Sequence, residues 1–254
     1  MISSTSNKKI KEVRELMRKA GERRKRGLFV VEGIKMFLEI PPEDMLEAYV
    51  SESFMRTCPA EAKVKLKFTS HETVTDTVFE YMSDTRTPQG ILAVVRMKKY
   101  DRLCGSAFVI LDRLQDPGNL GTIFRTAEAA GIDGILMDNE TVDIYNPKVV
   151  RSTMGAIFRV PFMYTDDLKS SIDELKKSGV KVFAAHLNGE KYYDEADYQN
   201  PSAFIIGNES AGISDEIAAC ADELIKIPMK GSVESLNASV AASILMYELS
   251  RQRR

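Results

Sequence analysis

The residues whose types could do chemistry stand in three polar segments of the C-terminal half. The first runs Leu111-Asp112-Arg113-Leu114-Gln115-Asp116-Pro117-Gly118-Asn119 and on to Arg125. Pro117 and Gly118 mark a turn, and Asn119 suits the cap of a following helix. Arg125 lies six residues further, about 1.7 helical turns on, so the two do not stack on one helix face. By itself, this segment is a cap and a surface cation. The second segment is Phe204-Ile205-Ile206-Gly207-Asn208-Glu209-Ser210-Ala211-Gly212-Ile213. Its glycines allow backbone to approach a ligand closely, or simply a tight turn. Neither GxGxxG nor GxxxxGK[ST] occurs, so the nicotinamide and P-loop fingerprints are missing. The third follows Ile227-Pro228 through Met229 to Asn237. A helix is expected to begin near Ser235 or Leu236, with Ser235 as N-cap. Ala238, Ala241 and Ala242 are small enough for that helix to pack closely.

Each segment leaves an apolar run that must position it. Phe108–Leu111, Gly134–Met137, Val182–His186, Ala203–Ile206 and Leu224–Ile227 read as strands. Leu120–Ala130, Leu168–Lys177 and Leu236–Arg251 read as helices. Short continuous apolar strands alternating with helices predict a parallel sheet covered on both faces. Ligands of such sheets lie beyond the carboxyl ends of the strands. The first half reads as a smaller α/β domain. A helix over Asn7–Ala20, a strand over Leu28–Glu32 and a helix from Gly33 are followed by strands over Ala48–Ser51, Lys65–Phe68 and Gly90–Val95. The polar stretch 97–105 is the expected linker, giving domains 1–96 and 106–254.

At 254 residues, 44% hydrophobic and 28% charged, the composition is that of a soluble globular protein. No apolar run approaches the roughly 20 residues of a membrane span, and the polar N-terminus lacks a secretory core. A cytoplasmic protein is expected. Cys58, Cys104 and Cys220 form no CxxC pair, and His71 and His186 stand alone, so neither a metal site nor a Ser-His-Asp triad is expected. The net charge is −2, yet residues 1–26 hold ten basic and three acidic side chains. That local surplus of basic groups suits an anionic partner such as nucleic acid. Ile10, Val13, Leu16 and Met17 also give the stretch an apolar helical stripe, so a plain solvated amphipathic helix stays open.

Together and in this order, the three segments resemble the signature motifs of the SpoU/TrmH class of the SPOUT superfamily, RNA 2′-O-ribose methyltransferases. Residues 119–129 are similar to the first motif, 206–213 to the second and 227–241 to the third. Phe29–Gly33 and Thr87–Ile91 resemble parts of the family's accessory substrate-binding domain. The resemblance implies an α/β SPOUT fold, a parallel sheet with a C-terminal trefoil knot, preceded by a small α/β substrate-binding domain. It implies S-adenosyl-L-methionine as cofactor, bound through the backbones of Gly207, Ile227 and Leu236, with Leu187, Asn188, Gly189 and Met229 as neighbours. It implies methyl transfer from a sulfonium to a ribose 2′-hydroxyl, a poor nucleophile that must be oriented and relieved of its proton. Arg125 is assigned first to orientation and charge stabilisation, because a guanidinium holds its protons firmly. Asn119 is expected to place the nucleotide, Glu209 to fix Arg125 or the substrate, and Ser235 and Asn237 to hold the loop and the ribose. Lys8, Lys9, Arg23, Arg24, Lys25 and Arg26 are the expected RNA-phosphate contacts. The family implies a homodimer, and the separate first domain favours ribosomal over transfer RNA. The rival readings are a non-catalytic RNA-binding or ribosome-assembly protein of the same fold, and a nucleotide hydrolase using loop 207–212. The intact set of Asn119, Arg125, Glu209, Ser235 and Asn237 argues against the first, and the missing P-loop lysine pattern against the second.

Overall fold

The computed structural model describes residues 1–254. The chain begins with α1 (Lys8–Arg18), α2 (Ala20–Arg26), β1 (Leu28–Glu32), α3 (Ile34–Glu39), β2 (Met45–Ser51), α4 (Glu52–Thr57), α5 (Ala60–Lys67), β3 (His71–Val74), α6 (Asp76–Met82) and β4 (Ile91–Arg96). Asn7 starts α1 by accepting a hydrogen bond from the Lys9 amide at 2.9 Å. The helix stops at Lys19, whose backbone is extended, and α2 ends on Gly27 in the left-handed conformation. The apolar stripe of α1 is its core face: Ile10, Val13, Leu16 and Met17 pack with Val30, Tyr49, Phe79 and Leu92. Each such burial contributes roughly 1.5–3 kcal/mol of transfer free energy. The four strands are ordered β1-β4-β2-β3, with β4 antiparallel to β1 and β2, and β3 parallel to β2.

The expected strand over Lys65–Phe68 is not there. Residues 65–67 end α5, and the strand is β3 instead. Val64, Leu66 and Phe68 alternate like a strand, but Val64 and Phe68 are 56% and 88% exposed, while Ala62 and Leu66 form the buried helical pair. The alternation is chance spacing, and the i, i+4 pair decides the element.

The rest of the chain forms β5 (Ala107–Leu111), α7 (Pro117–Ala130), β6 (Gly134–Asp138), α8 (Pro147–Ser152), β7 (Phe162–Thr165), α9 (Leu168–Lys177), β8 (Lys181–Ala185), β9 (Lys191–Tyr192), β10 (Ser202–Ile206), α10 (Asp215–Ala218), β11 (Glu223–Lys226) and α11 (Ala238–Gln252). Seven strands lie in the order β7-β6-β5-β10-β8-β11-β9, and every pairing is parallel. All five residues of β5 and of β10 are buried, as strands covered on both faces must be. Phe108, Ile110, Ala203 and Ile205 pack against Leu168, Ile172 and Ile217 of α9 and α10. α11 packs on α7 and on β10.

Packing divides the residues into Met1–Lys98 with Asp143–Phe158, and Lys99–Val142 with Arg159–Arg254. Residues 143–158, expected inside a continuous 106–254 domain, therefore belong to the first unit. The Arg23 guanidinium donates to Asp143 at 2.6 Å, the Phe29 and Tyr145 rings lie 4.7 Å apart, and Lys98 donates to the Phe158 carbonyl. Such long-range contacts leave no local mark in the sequence.

Candidate active site

β5, β10, β8 and β11 are consecutive neighbours in the sheet and run parallel. The loops that follow them, 112–116, 207–214, 186–190 and 227–237, therefore leave from one edge, where ligands of parallel sheets sit. Asp112, which is buried, accepts hydrogen bonds from the amide and hydroxyl of Ser214 at 2.7 and 2.9 Å. The Asn208 side-chain amide donates to the Arg113 carbonyl at 2.8 Å. These bonds tie the second polar segment to the first. Two glycines are required by close approach. A Cβ at Gly207 would fall 2.2 Å from Gly212 and Ile213 backbone atoms, and one at Gly189 would fall 2.7 Å from the Ile225 carbonyl carbon.

At this edge the three segments are joined by one directed chain of hydrogen bonds. The Glu209 carboxylate accepts from the amides of Gln115 and Asp116 at 3.0 and 2.9 Å, and from the Asn119 side-chain amide at 2.9 Å. A carboxylate only accepts, so Asn119 must present its NH2 to Glu209 and its oxygen the other way. That oxygen accepts from the Asn237 side-chain amide at 2.9 Å. The Asn237 oxygen then faces the amide and hydroxyl of Ser239, at 2.9 and 2.7 Å. Burial pushes the Glu209 carboxyl up, but the bonds from Asn119, Gln115, Asp116 and its own amide outweigh it and leave its pKa below the ordinary glutamate value.

Several expected roles change hands. The N-cap of α7 is Asp116, which accepts from the Asn119 amide at 2.8 Å; Asn119 is buried in the first turn. Asp116 followed by proline at the first helical position is a cap signal that sequence reasoning missed. The N-cap of α11 is Asn237, not Ser235, and the helix starts at Ala238. Ser235 is exposed in the loop. Glu209 does not fix Arg125, because its oxygens are taken by Asn119 and the two backbone amides. Arg125 is exposed on α7, and its side chain has no partner within the chain. Asp112 and Ser214, 102 residues apart, carry no sequence signal, and sequence reasoning missed them too.

The edge fits the cofactor that the resemblance implies. Loop 227–236 makes no hydrogen bond to the rest of the chain, so the backbones of Ile227, Met229 and Leu236 keep free donors and acceptors. Val233 on this loop and Leu187 on the neighbouring one expose 61% and 68% of their surface, and Asn188 next to Leu187 is exposed. Free backbone groups next to apolar side chains suit an adenine edge and its faces.

In the first unit, the expected RNA contacts divide. Arg23 is 3% exposed and is saturated by Asp143 and the carbonyls of Leu16 and Met17. It is a structural ion pair and no phosphate ligand. Lys9 is paired with Glu47 and Glu72 at 2.7 and 2.9 Å, and Arg26 with Glu15 and Glu22, each at 3.0 Å. Lys8, Arg24 and Lys25 are exposed, and their side chains have no partner in the chain.

A parallel sheet whose loops converge at one edge, with free backbone groups there, is the architecture of a ligand-binding α/β protein. Residues 106–247 match the SpoU rRNA Methylase family, and residues 7–93 match the MRM3-like substrate binding domain. The chain belongs to the SpoU methylase family. It is 35% identical to the 23S rRNA (guanosine(2553)-2′-O)-methyltransferase RlmP of Bacillus subtilis, over 98% of each chain. Its fold matches the SpoU methyltransferase AviRb from Streptomyces viridochromogenes in complex with S-adenosylmethionine, with a TM-score of 0.87 and 26% identity over 97% of this chain and 98% of that one. It also matches the S-adenosylmethionine-bound rRNA methyltransferase from Sinorhizobium meliloti, with a TM-score of 0.80 and 30% identity over 98% and 97%. The SPOUT fold and the family expected from the three motifs are those found.

Proposed function

We propose that the chain transfers the methyl group of S-adenosyl-L-methionine to a ribose 2′-hydroxyl of ribosomal RNA. The observation that carries this is the Glu209–Asn119–Asn237 chain, which gathers all three motif segments at one sheet edge. The backbones of Gly207, Ile227 and Leu236 hold the cofactor, flanked by Leu187, Asn188, Gly189 and Met229. When bound, the cofactor supplies a methyl already activated on a sulfonium. What remains for the protein is alignment and charge, and alignment is worth much of the barrier. Arg125 grips the RNA phosphate and stabilises the charge that grows on the 2′-oxygen as its proton passes to water. Ser235 and Asn237 hold loop 227–237 against the ribose, and Glu209 with Asn119 fixes the loops beneath it. Lys8, Arg24 and Lys25 bind RNA phosphates. The return from β11 to α11 at the sheet centre is read as the trefoil threading. The exposed Val240 and Tyr247 of α11 favour a homodimer. No helix is long and apolar enough to cross a membrane. A ribosomal substrate favours work in the cytoplasm.

The test is to map ribose methylation across cellular RNA with and without the protein, beside calorimetry with S-adenosylmethionine. One methylated ribose of ribosomal RNA should vanish in its absence. Loss confined to transfer RNA would move the substrate, and no cofactor binding would favour a non-catalytic RNA-binding protein.

A further inference from the structure

A cavity of 240 Å³ lies wholly within the first unit. Glu32, Lys35 and Met36 line it from the end of β1 and from α3, Thr87 and Gln89 from the turn before β4, and Met154 from the segment after α8. The motifs Phe29–Gly33 and Thr87–Ile91 meet there. The Ile34 amide donates to Gln89 Oε1 at 2.7 Å, and Gly33 holds a φ of 101° with room for a Cβ only 3.1 Å from that same oxygen. The floor is rigid. Glu32, which is buried, accepts from the Ser83 and Thr85 hydroxyls and the Asp84 amide. Arg151 stands 3.2 Å from Asp84 and 4.0 Å from Glu32, and its Nη1 is buried without a hydrogen-bond partner.

Above that floor the polar groups are unengaged. The Lys35 ammonium, the Thr87 hydroxyl and the Gln89 Nε2 have no partner in the chain. The walls are thioethers: Met36 is buried, and Met154 is exposed. Met154 has a φ of 51°, a conformation that residues other than glycine rarely hold. Strain of this kind clusters where a chain meets a ligand. An apolar slot with a few convergent polar groups is a ligand site, and this one is below the roughly 300–1,000 Å³ that drug-sized ligands fill. Its occupant is therefore small. Thioethers favour a π face, a hydroxyl and an amide suit the polar edge of a ring, and an ammonium at the mouth suits an anion. An unstacked nucleotide carries all three features. Glu32, Lys35, Met36, Thr87 and Gln89 all fall in the stretch 7–93 that matches a substrate-binding domain.

We propose that this cavity takes one unpaired nucleotide of the substrate RNA, distinct from the methylated one. Its base lies between Met36 and Met154, its edge against Thr87 and Gln89, and its phosphate by Lys35. A base held in a duplex cannot enter, so the cavity selects for an unpaired position. This rests on the RNA-methyltransferase reading above.

The experiment measures binding of an unmodified ribosomal RNA transcript across a salt series, methyl transfer to it, and calorimetry with S-adenosylmethionine, for Thr87→Val, Met154→Gly and Lys35→Ala. Thr87→Val and Met154→Gly should each weaken RNA binding about two- to tenfold, with an unchanged salt slope. Met154→Gly should also raise the melting temperature, because glycine accepts the left-handed backbone. Lys35→Ala should reduce the salt slope by about one. Cofactor binding should stay at the wild-type value in all three. Wild-type RNA affinity in both Thr87→Val and Met154→Gly overturns the proposal. A wild-type protein that binds the RNA but neither binds the cofactor nor methylates overturns the enzymatic reading instead, and the binding data still judge the cavity.

Discussion

The basic helices α1 and α2 and the strand-end loops of the seven-stranded sheet are both dense in polar side chains, and they use them in opposite ways. In the helices several of the cations are answered internally. Arg23 is buried against Asp143, Lys9 is shared by Glu47 and Glu72, and Arg26 lies among Glu12, Glu15 and Glu22. In the loops the reverse holds. Glu209, Asn119 and Asn237 satisfy one another, while Arg125, further along α7, is exposed and without a partner. A count of charges therefore overstates what the first region offers to RNA. The second region's polar set closes on itself and leaves Arg125 and Lys230 exposed and unanswered.

The pair Arg23 and Arg125 breaks this comparison most sharply. Arg23→Ala leaves Asp143 and two carbonyls buried without their donor. Breaking a buried pair costs about 3–5 kcal/mol, so the denaturant midpoint should fall further than for any surface substitution. A midpoint near wild type would show that Arg23 is not structural. Arg125→Ala should leave the midpoint unchanged, because the side chain has no partner within the chain. Methyl transfer should instead fall by about 10²–10³, the scale of removing one preorganised charge-stabilising donor. Full turnover would remove Arg125 from the mechanism.

Glu209→Gln sharpens the loop side. Glutamine keeps the shape but must present an NH2 to at least one of the donors that face Glu209, the amides of Gln115 and Asp116 and the Asn119 NH2. A donor facing a donor breaks one hydrogen bond to a charged group at this partly exposed site, a loss of about 1 kcal/mol. S-adenosylmethionine affinity should drop as loop 207–214 loosens, and an unchanged affinity would deny the network its role. The pH dependence has a definite sign. The folded carboxyl titrates below its unfolded value of about 4.3, so its contribution is complete above that value and is lost as pH falls through the lower folded pKa. The melting-temperature gap between wild type and Glu209→Gln should be constant near neutrality and close only in acid. A gap that closes already at about pH 6, well above the unfolded carboxyl value, would contradict it.

Much of this was legible in the chain. Continuous apolar runs such as 108–111 and 203–206 announce buried parallel strands because a sheet covered on both faces has no polar side to display. The three motif segments were legible as a set, since their order and content match a family. What was not legible depended on contacts between distant residues. The Asp112–Ser214 tie, the orientation of Asn119 and the transfer of 143–158 to the first unit are set by tertiary partners. Helix caps were misjudged by position, because Asp116, Asn119, Ser235 and Asn237 are all competent caps and only the backbone path chooses among them.

The smallest expected effect tests what remains of the basic surface. Arg24→Ala and Lys25→Ala remove side chains that are exposed and without partners, so stability should stay within about 0.5 kcal/mol of wild type. Each phosphate that is no longer neutralised should lower the slope of log affinity against log salt by about 0.9 on a duplex, or about 0.7 on single strands. Removing Lys9 should lower it less, since its ammonium already lies 2.7 Å from Glu47 and 2.9 Å from Glu72 and brings little uncompensated charge to the RNA. If Lys9→Ala changes the slope as much as Arg24→Ala does, internal pairing does not decide which cations serve the substrate, and the contrast between the two regions loses its basis.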